Sequence, residues 1–141
     1  MKSGNPRRVS REFRVLLVYA NSFMDTLFPV SISSISGALD RIGVQTKCFD
    51  TTFYPDYAEG KEHSSDVAKA QNLQVLSVNY EDVGITPKTT NVLEDFRQTV
   101  KEFKPDLIGV SVVEPTFLLG MRLLEAVEDT KIPTIVGGVH A

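Results

Sequence analysis

Apolar residues recur along this chain in two alternating patterns, short continuous runs and longer stretches at helical spacing. The short runs, at 13–19, 44–50, 106–113 and 131–136, have the length and apolar content of buried strands. The longer stretches predict one amphipathic helix between each pair of runs. Their apolar stripes are Ile32, Ile35, Leu39 and Ile42, then Val92, Phe96, Val100 and Phe103, then Phe117, Met121, Leu124 and Val127. The predicted order is β-α-β-insertion-α-β-α-β, which is typical of a three-layer α/β/α domain.

Local signals predict where the helices begin and end. Pro29 suits the first turn of a helix, and Gly43 suits a left-handed C-cap. Asn91 with Glu94 resembles a capping box. Pro105 stops the second helix, because its ring clashes with the preceding turn and it has no N–H to donate.

Connections between parallel strands are right-handed, which limits how these strands can be arranged. We expect a Rossmann-like, flavodoxin-like doubly wound parallel sheet with the order 2-1-3-4. Strands 13–19 and 106–113 then lie side by side in its centre. Their helices leave on opposite faces, so a topological switch point lies between the loops 20–28 and 114–116. Ligands bind at such points in open α/β sheets.

The chain divides into a flexible leader, 1–12, and one domain, 13–141, which carries a long insertion at about 53–87. The insertion has no sustained periodicity, and its charged middle, 56–71, is expected to be mobile. Its tyrosines indicate either packing on another element or plain surface packing. They are Tyr54, Tyr57 and Tyr80. Because the chain stops on a glycine loop after the fourth strand, the domain is expected to be truncated there.

Composition and charge exclude some classes of function without identifying one. A net charge of −3 and a pI near 5.4 give no reason to expect nucleic acid as a partner. The single cysteine, Cys48, excludes a disulfide framework within this sequence. No apolar run reaches transmembrane length and no signal peptide is present, so no membrane partner and a cytoplasmic location are expected.

Motifs for phosphate, metal and nucleotide binding are largely missing. No G-x-G-x-x-G follows the first strand, and no G-x-x-x-x-G-K occurs. The two histidines, His63 and His140, are too far apart in sequence for a local metal motif. Carboxylates at the strand ends could bind Mg²⁺, as in a response-regulator receiver. They are Asp25, Asp50 and Glu114. However, the third strand ends without the aspartate that a receiver phosphorylates, which disfavours this alternative.

Small residues mark the ends of the third and fourth strands. Gly109 and Ser111 fall on the same face of the third strand, because side chains alternate. They leave room either for a ligand or for a closely packed helix. Gly137 and Gly138 follow the fourth strand and allow close approach of backbone to a ligand, as well as positive φ.

Four stretches together resemble the N-terminal cobalamin-binding domain of B12-dependent radical SAM enzymes. They are Val15-Leu-Leu-Val, Gly37-Ala-Leu, Lys104-Pro-Asp-Leu-Ile-Gly-Val-Ser and Val136-Gly-Gly-Val-His-Ala. The resemblance covers roughly 13–141, and its last two motifs are the most specific. It implies a domain that holds cobalamin with the corrin above the strand ends and the nucleotide tail in a crevice beside the sheet. It also implies a downstream radical SAM domain in the same parent chain, with a 4Fe-4S cluster and S-adenosylmethionine, in some members a methyltransferase.

The resemblance assigns a role to each candidate residue. Ser111 would hydrogen-bond the nucleotide tail, residues 112–116 would form a wall below the corrin, and residues 137–140 would form the other rim. Residues 21–24 would lie beneath the corrin, with two side chains shielding cobalt. The assigned residues are Asn21, Ser22, Phe23, Met24, Ser111, Val112, Val113, Glu114, Pro115, Thr116, Gly137, Gly138, Val139 and His140.

Two departures from related patterns refine this expectation. Methionine-synthase-type domains carry D-x-H-x-x-G in the first loop, and here Leu27 stands where that motif has histidine. Bound cobalamin is therefore expected to be base-off, without a histidine lower ligand from this loop. No radical SAM motif is present in this sequence. The rival hypothesis is a flavodoxin-like interaction domain that has lost its ligand, with the insertion as its partner surface.

Overall fold

The computed structural model describes residues 12–22, 29–55, 82 and 84–138. Within these ranges, four parallel strands form one sheet with the order β2-β1-β3-β4. The strands are β1 (Arg14–Tyr19), β2 (Gln45–Asp50), β3 (Leu107–Ser111) and β4 (Thr134–Gly137). This confirms the predicted α/β class and sheet order, with β1 and β3 in the centre.

Helices cover both faces of this sheet. They are α1 (Val30–Asp40), α2 (Val92–Phe103) and α3 (Phe117–Glu125), with 3₁₀ turns at Glu114–Thr116 and Glu128–Thr130. On one face, Ile32 of α1 packs with Val15 and Leu17 of β1. On the other, Phe96 of α2 and Leu123 of α3 belong to the cluster around Leu16 and Val18. The helices that follow β1 and β3 therefore lie on opposite faces, as the crossover rule predicts. We call these the α1 face and the α2/α3 face.

The local helix signals behave as predicted. Gly43 takes a φ of +78° just after α1. The Asn91 side chain accepts hydrogen bonds from the backbone N–H groups of Leu93 (2.9 Å) and Glu94 (3.2 Å) at the start of α2. That helix ends at Phe103, one residue before the left-handed Lys104 and two before Pro105.

Two of the predicted apolar stripes are only partly buried. Ile35 of α1 and Ile42, which follows that helix, remain 47% and 62% exposed, because α1 packs mainly on β1 and β2 and no described helix lies beside it over β3 and β4. In α3, the buried row contains Leu119, Leu123 and the following Val127, whereas Phe117 is 40% exposed. This helix is apolar on most of its circumference, so spacing alone chose the wrong row for Phe117 and Met121, whereas Leu124 is partly buried against the core as predicted. Two strands also differ from their predicted bounds, since β3 stops at Ser111 and β4 begins only at Thr134.

The beginning of the insertion belongs to the core. Tyr54 is only 3% exposed, and its ring lies 6.0 Å from that of Phe49, which in turn packs edge-on against Phe96 at 5.0 Å. Tyr54 therefore packs on another element rather than on the surface. Tyr57, Tyr80, the segment 56–71 and the leader up to residue 11 lie outside the described residues.

A search of the described helices for membrane spans gives a negative result. None of these helices combines the length and the apolar character needed to cross a bilayer.

Candidate ligand-binding cavity

A cavity of about 560 Å³ opens where β1, β3 and β4 end, on the α1 face. Its floor is formed by Gly109, Ser111 and Gly137, and Ile32 and Ile35 of α1 contribute one wall. Carboxyl ends of parallel strands are where open α/β sheets bind ligands. The volume also falls within the roughly 300–1,000 Å³ range of small-molecule sites.

The cavity continues toward the opposite end of the sheet as a second hollow of about 520 Å³. The two share Leu17, Ile35, Gly109 and Ile135, so they form one groove along the uncovered half of the α1 face. Every residue that lines the second hollow is apolar or glycine. We call this continuous depression the α1-side groove.

The glycine and serine of β3 leave the floor of the groove open. A Cβ added at Gly109 would meet only the Leu17 Cδ2 atom, at 3.4 Å, so no closely packed helix explains this glycine within the described structure. The Ser111 side chain is half-buried in the cavity, and its hydroxyl forms no hydrogen bond with the described residues. Close packing of a helix on the sheet instead occurs at Gly120 of α3, on the other face, where a Cβ would lie 2.5 Å from Val112 Cγ1.

The two glycines after β4 have different roles. A Cβ on Gly137 would have no neighbour within 4 Å, so this residue presents open backbone to the cavity. Gly138 has a φ of +139°, and a Cβ there would lie 1.8 Å from the carbonyl oxygen of Val112. Gly138 is thus required for backbone packing against the end of β3. From the sequence alone, this role could not be distinguished from close approach of the backbone to a ligand.

Only part of the predicted wall at 112–116 borders the cavity. Val112 and Val113 line it, although the Val112 side chain is buried toward Gly120 on the α2/α3 face. The buried Thr116 instead structures the turn, since its Oγ1 accepts a hydrogen bond from Val113 N–H (3.1 Å) and donates to Val113 O (3.3 Å). Glu114 and Pro115 are exposed and do not line the cavity.

The first predicted loop is anchored to the end of β2. The N–H of Asn21 donates to Thr51 Oγ1 at 2.8 Å, and the same hydroxyl donates to Asn21 O, also at 2.8 Å. The Asn21 side chain donates to Thr52 Oγ1 at 2.9 Å. Neither Asn21 nor Ser22 lines the cavity. Phe23, Met24, Val139 and His140 lie outside the described residues.

Most residues of the apolar wall of the cavity were not among the predicted site residues. Pro29 lies just before α1, Ile35 lies in the middle of that helix, and Ile135 belongs to β4. Alternation along β4 puts Ile135 on the same face as Gly137, which was a usable signal. The spacing of apolar residues along α1 did not indicate that this helix would lie over only half of the sheet.

The described lining of the cavity is mostly apolar side chains and glycine backbone. Its described lining contains no Asp, Glu, His, Lys, Arg or Cys, and the polar side chains are Tyr19, Ser31 and Ser111. Nowhere among the described residues do three metal-ligating side chains of the His, Cys, Asp and Glu types come together. Such a lining favours a largely apolar, uncharged group that takes a few hydrogen bonds.

Comparison with known proteins finds no matching family model, no similar curated protein and no similar solved structure. Function has to be inferred from the residues of this chain. Of the residues assigned to cobalamin from the sequence, the fold brings five to one cavity, and they are Ser111, Val112, Val113, Gly137 and Gly138.

Proposed function

We propose that this chain is a cobalamin-binding module that holds base-off cobalamin at the carboxyl ends of its parallel strands. The observation that carries the proposal is the cavity of about 560 Å³ floored by Gly109, Ser111 and Gly137. These are small residues from the two stretches that most resemble B12 domains. They stand at the switch point where a doubly wound sheet binds ligands.

The lining fits the planar base of cobalamin's nucleotide tail, which is apolar and uncharged. The Ser111 hydroxyl is free to donate to a polar atom of the tail, and the backbone at Gly137 can approach it closely. Ile35 and Ile135 offer apolar contact to a planar base. When bound, the corrin would supply the cobalt chemistry, and this chain would bind and orient it.

We further propose that the parent protein is a cytoplasmic radical SAM enzyme, for which methyl transfer is one candidate reaction. Cys48 is the single cysteine of this sequence, whereas a 4Fe-4S cluster is held by several thiolates. The cluster and S-adenosylmethionine would therefore belong to a downstream domain. Absence of a disulfide framework agrees with a reducing compartment.

An absorbance titration of this chain with hydroxocobalamin tests the proposal. We expect a saturable spectral change that Ser111→Leu abolishes, because the larger side chain fills the floor of the cavity. Ser34→Leu makes the same chemical change on an exposed position of α1 that does not line the cavity, and it should leave binding intact. Absence of any spectral change, or equal binding by Ser111→Leu, would refute the proposal.

Electron paramagnetic resonance of the Co(II) form tests the base-off state. Leu27 replaces the ligating histidine of the D-x-H-x-x-G pattern and has no lone pair to offer cobalt. We expect a spectrum without nitrogen splitting from a lower axial ligand. Splitting from a protein histidine, lost in His140→Ala or His63→Ala, would contradict this assignment.

A second candidate function is a cofactor-free interaction domain. The α1-side groove favours it, because Ile35, Ile42 and Ile135 remain 47%, 62% and 58% exposed there. Exposed apolar patches mark interaction sites in many proteins. The two functions differ in the titration above, since an interaction domain would leave the spectrum of hydroxocobalamin unchanged at any concentration of the chain.

A further inference from the structure

The described residues just after β2 and just before α2 meet at one backbone contact. The backbone N–H of Lys88 donates a 2.8 Å hydrogen bond to the carbonyl oxygen of Phe53. The chain between these residues, which includes 56–81, therefore begins and ends at a backbone contact. This contact lies just beyond the end of β2, at the same edge of the sheet as the candidate cavity.

Four side chains surround this contact, and we call them the neck cluster. They are Tyr54, Lys88, Thr90 and Asp95. Asp95 Oδ2 accepts hydrogen bonds from Tyr54 Oη (2.8 Å) and Thr90 Oγ1 (2.6 Å). Lys88 Nζ donates to Tyr54 Oη at 3.1 Å and lies 3.8 Å from Asp95 Oδ2 and 4.9 Å from the centre of the tyrosine ring. One residue preceding the segment is thus bonded to residues that follow it.

Both sides of the neck cluster are held by the core. Tyr54 is 3% exposed and packs beside Phe49 of β2. Asp95 lies in the first turn of α2, next to the fully buried Phe96. The segment 56–81 therefore spans two points whose positions are set by β2 and α2.

We propose that the neck cluster makes the four-stranded domain independent of residues 56–81. The core does not need that segment to bring β2 and α2 together, because the neck cluster and the Phe49–Phe96 contact already join them. A shorter connection also has less loop-closure entropy to lose on folding. The sequence of 56–81 can then change without changing the fold of the four-stranded domain.

Replacement of residues 56–81 by Gly-Ser linkers of two lengths tests this independence. We expect both variants to unfold cooperatively in urea, with a midpoint no lower than that of the intact chain. Failure of both variants to unfold cooperatively would show that the segment is part of the core and would overturn the proposal.

Hydrogen exchange of the Lys88 amide tests the cluster itself in the intact chain. Tyr54→Phe and Asp95→Asn should each accelerate its exchange about tenfold, because each weakens a charge-assisted hydrogen bond at the neck. Asp129→Asn makes the same chemical change as Asp95→Asn on an exposed aspartate elsewhere in the described structure, and it should not alter the exchange rate of the Lys88 amide. An unprotected Lys88 amide in the intact chain, or equal acceleration by the variants and the control, would overturn the proposal.

Discussion

Replacing Gly138 with alanine is the sharpest test of the packing beside the cavity. The backbone at this position has a φ of +139°, which side chains rarely adopt. The new Cβ would also lie 1.8 Å from the carbonyl oxygen of Val112. Carbon and oxygen normally approach to about 3.3 Å, so the two chains must separate by about 1.5 Å.

The expected cost follows from these two effects. A non-glycine residue in a sparsely populated backbone region costs about 1–3 kcal/mol. Overpacking in a close contact adds about 1–3 kcal/mol. The separation also threatens the 2.9 Å hydrogen bond from Val112 N–H to Gly137 O, which joins the ends of β3 and β4. We therefore expect Gly138→Ala to lower the free energy of unfolding by about 3 kcal/mol, and the melting temperature by about 10 °C.

Urea and thermal unfolding, followed by circular dichroism, measure this loss. Gly137→Ala is the matched control, because its Cβ would have no neighbour within 4 Å. It should stay within about 0.5 kcal/mol of the unmodified chain. A Gly138→Ala variant as stable as Gly137→Ala would refute the reasoning, since it would mean that β3 and β4 separate at little cost.

Two further predictions concern the ends of β2 and α2. Thr51→Val should destabilise the chain by about 1–3 kcal/mol in urea unfolding, because the buried N–H and C=O of Asn21 each lose a hydrogen bond with the Thr51 hydroxyl. Thr51→Ser keeps this hydroxyl and should keep most of the stability. Equal losses in the two variants would contradict this role. Hydrogen bonds from Thr90 and Tyr54, with the charge of Lys88, lower the pKa of Asp95 in the folded state. Its contribution is then fully present above about pH 4 and is lost as the pH falls through the lowered pKa. Urea unfolding between pH 7 and pH 2 should lose stability more steeply in the unmodified chain than in Asp95→Asn, and identical slopes would rule out this role.

Features that depend on neighbours along the chain could be predicted from the amino-acid sequence alone. Gly43, Asn91 and Pro105 act on backbone groups within one helical turn, so their effects do not depend on the rest of the fold. The order of the four strands also followed from sequence, because runs of apolar residues predict the strands and right-handed crossovers restrict their arrangement. Together they placed Gly109, Ser111 and Gly137 at one edge of the sheet.

Where several similar residues could take one structural role, contacts within the folded domain select among them. Leu119 and Leu123, rather than Phe117 and Met121, face the sheet because close packing at Gly120 sets the rotation of an almost wholly apolar helix. Gly137 and Gly138 are the same residue type in the sequence. Only the position of the Val112 carbonyl shows that a side chain would fit at Gly137 and would clash at Gly138. These outcomes depend on contacts between residues far apart in sequence, which local pattern does not encode.

The candidate cavity shows the same division between local pattern and tertiary contact. Its floor was predictable, because side chains alternate along β3 and β4. Its wall was not, since Ile35 borders the cavity only because α1 lies over β1 and β2 and leaves the other half of that face uncovered. How far a helix covers a sheet is set by the packing of whole elements, and no spacing within one element carries that information.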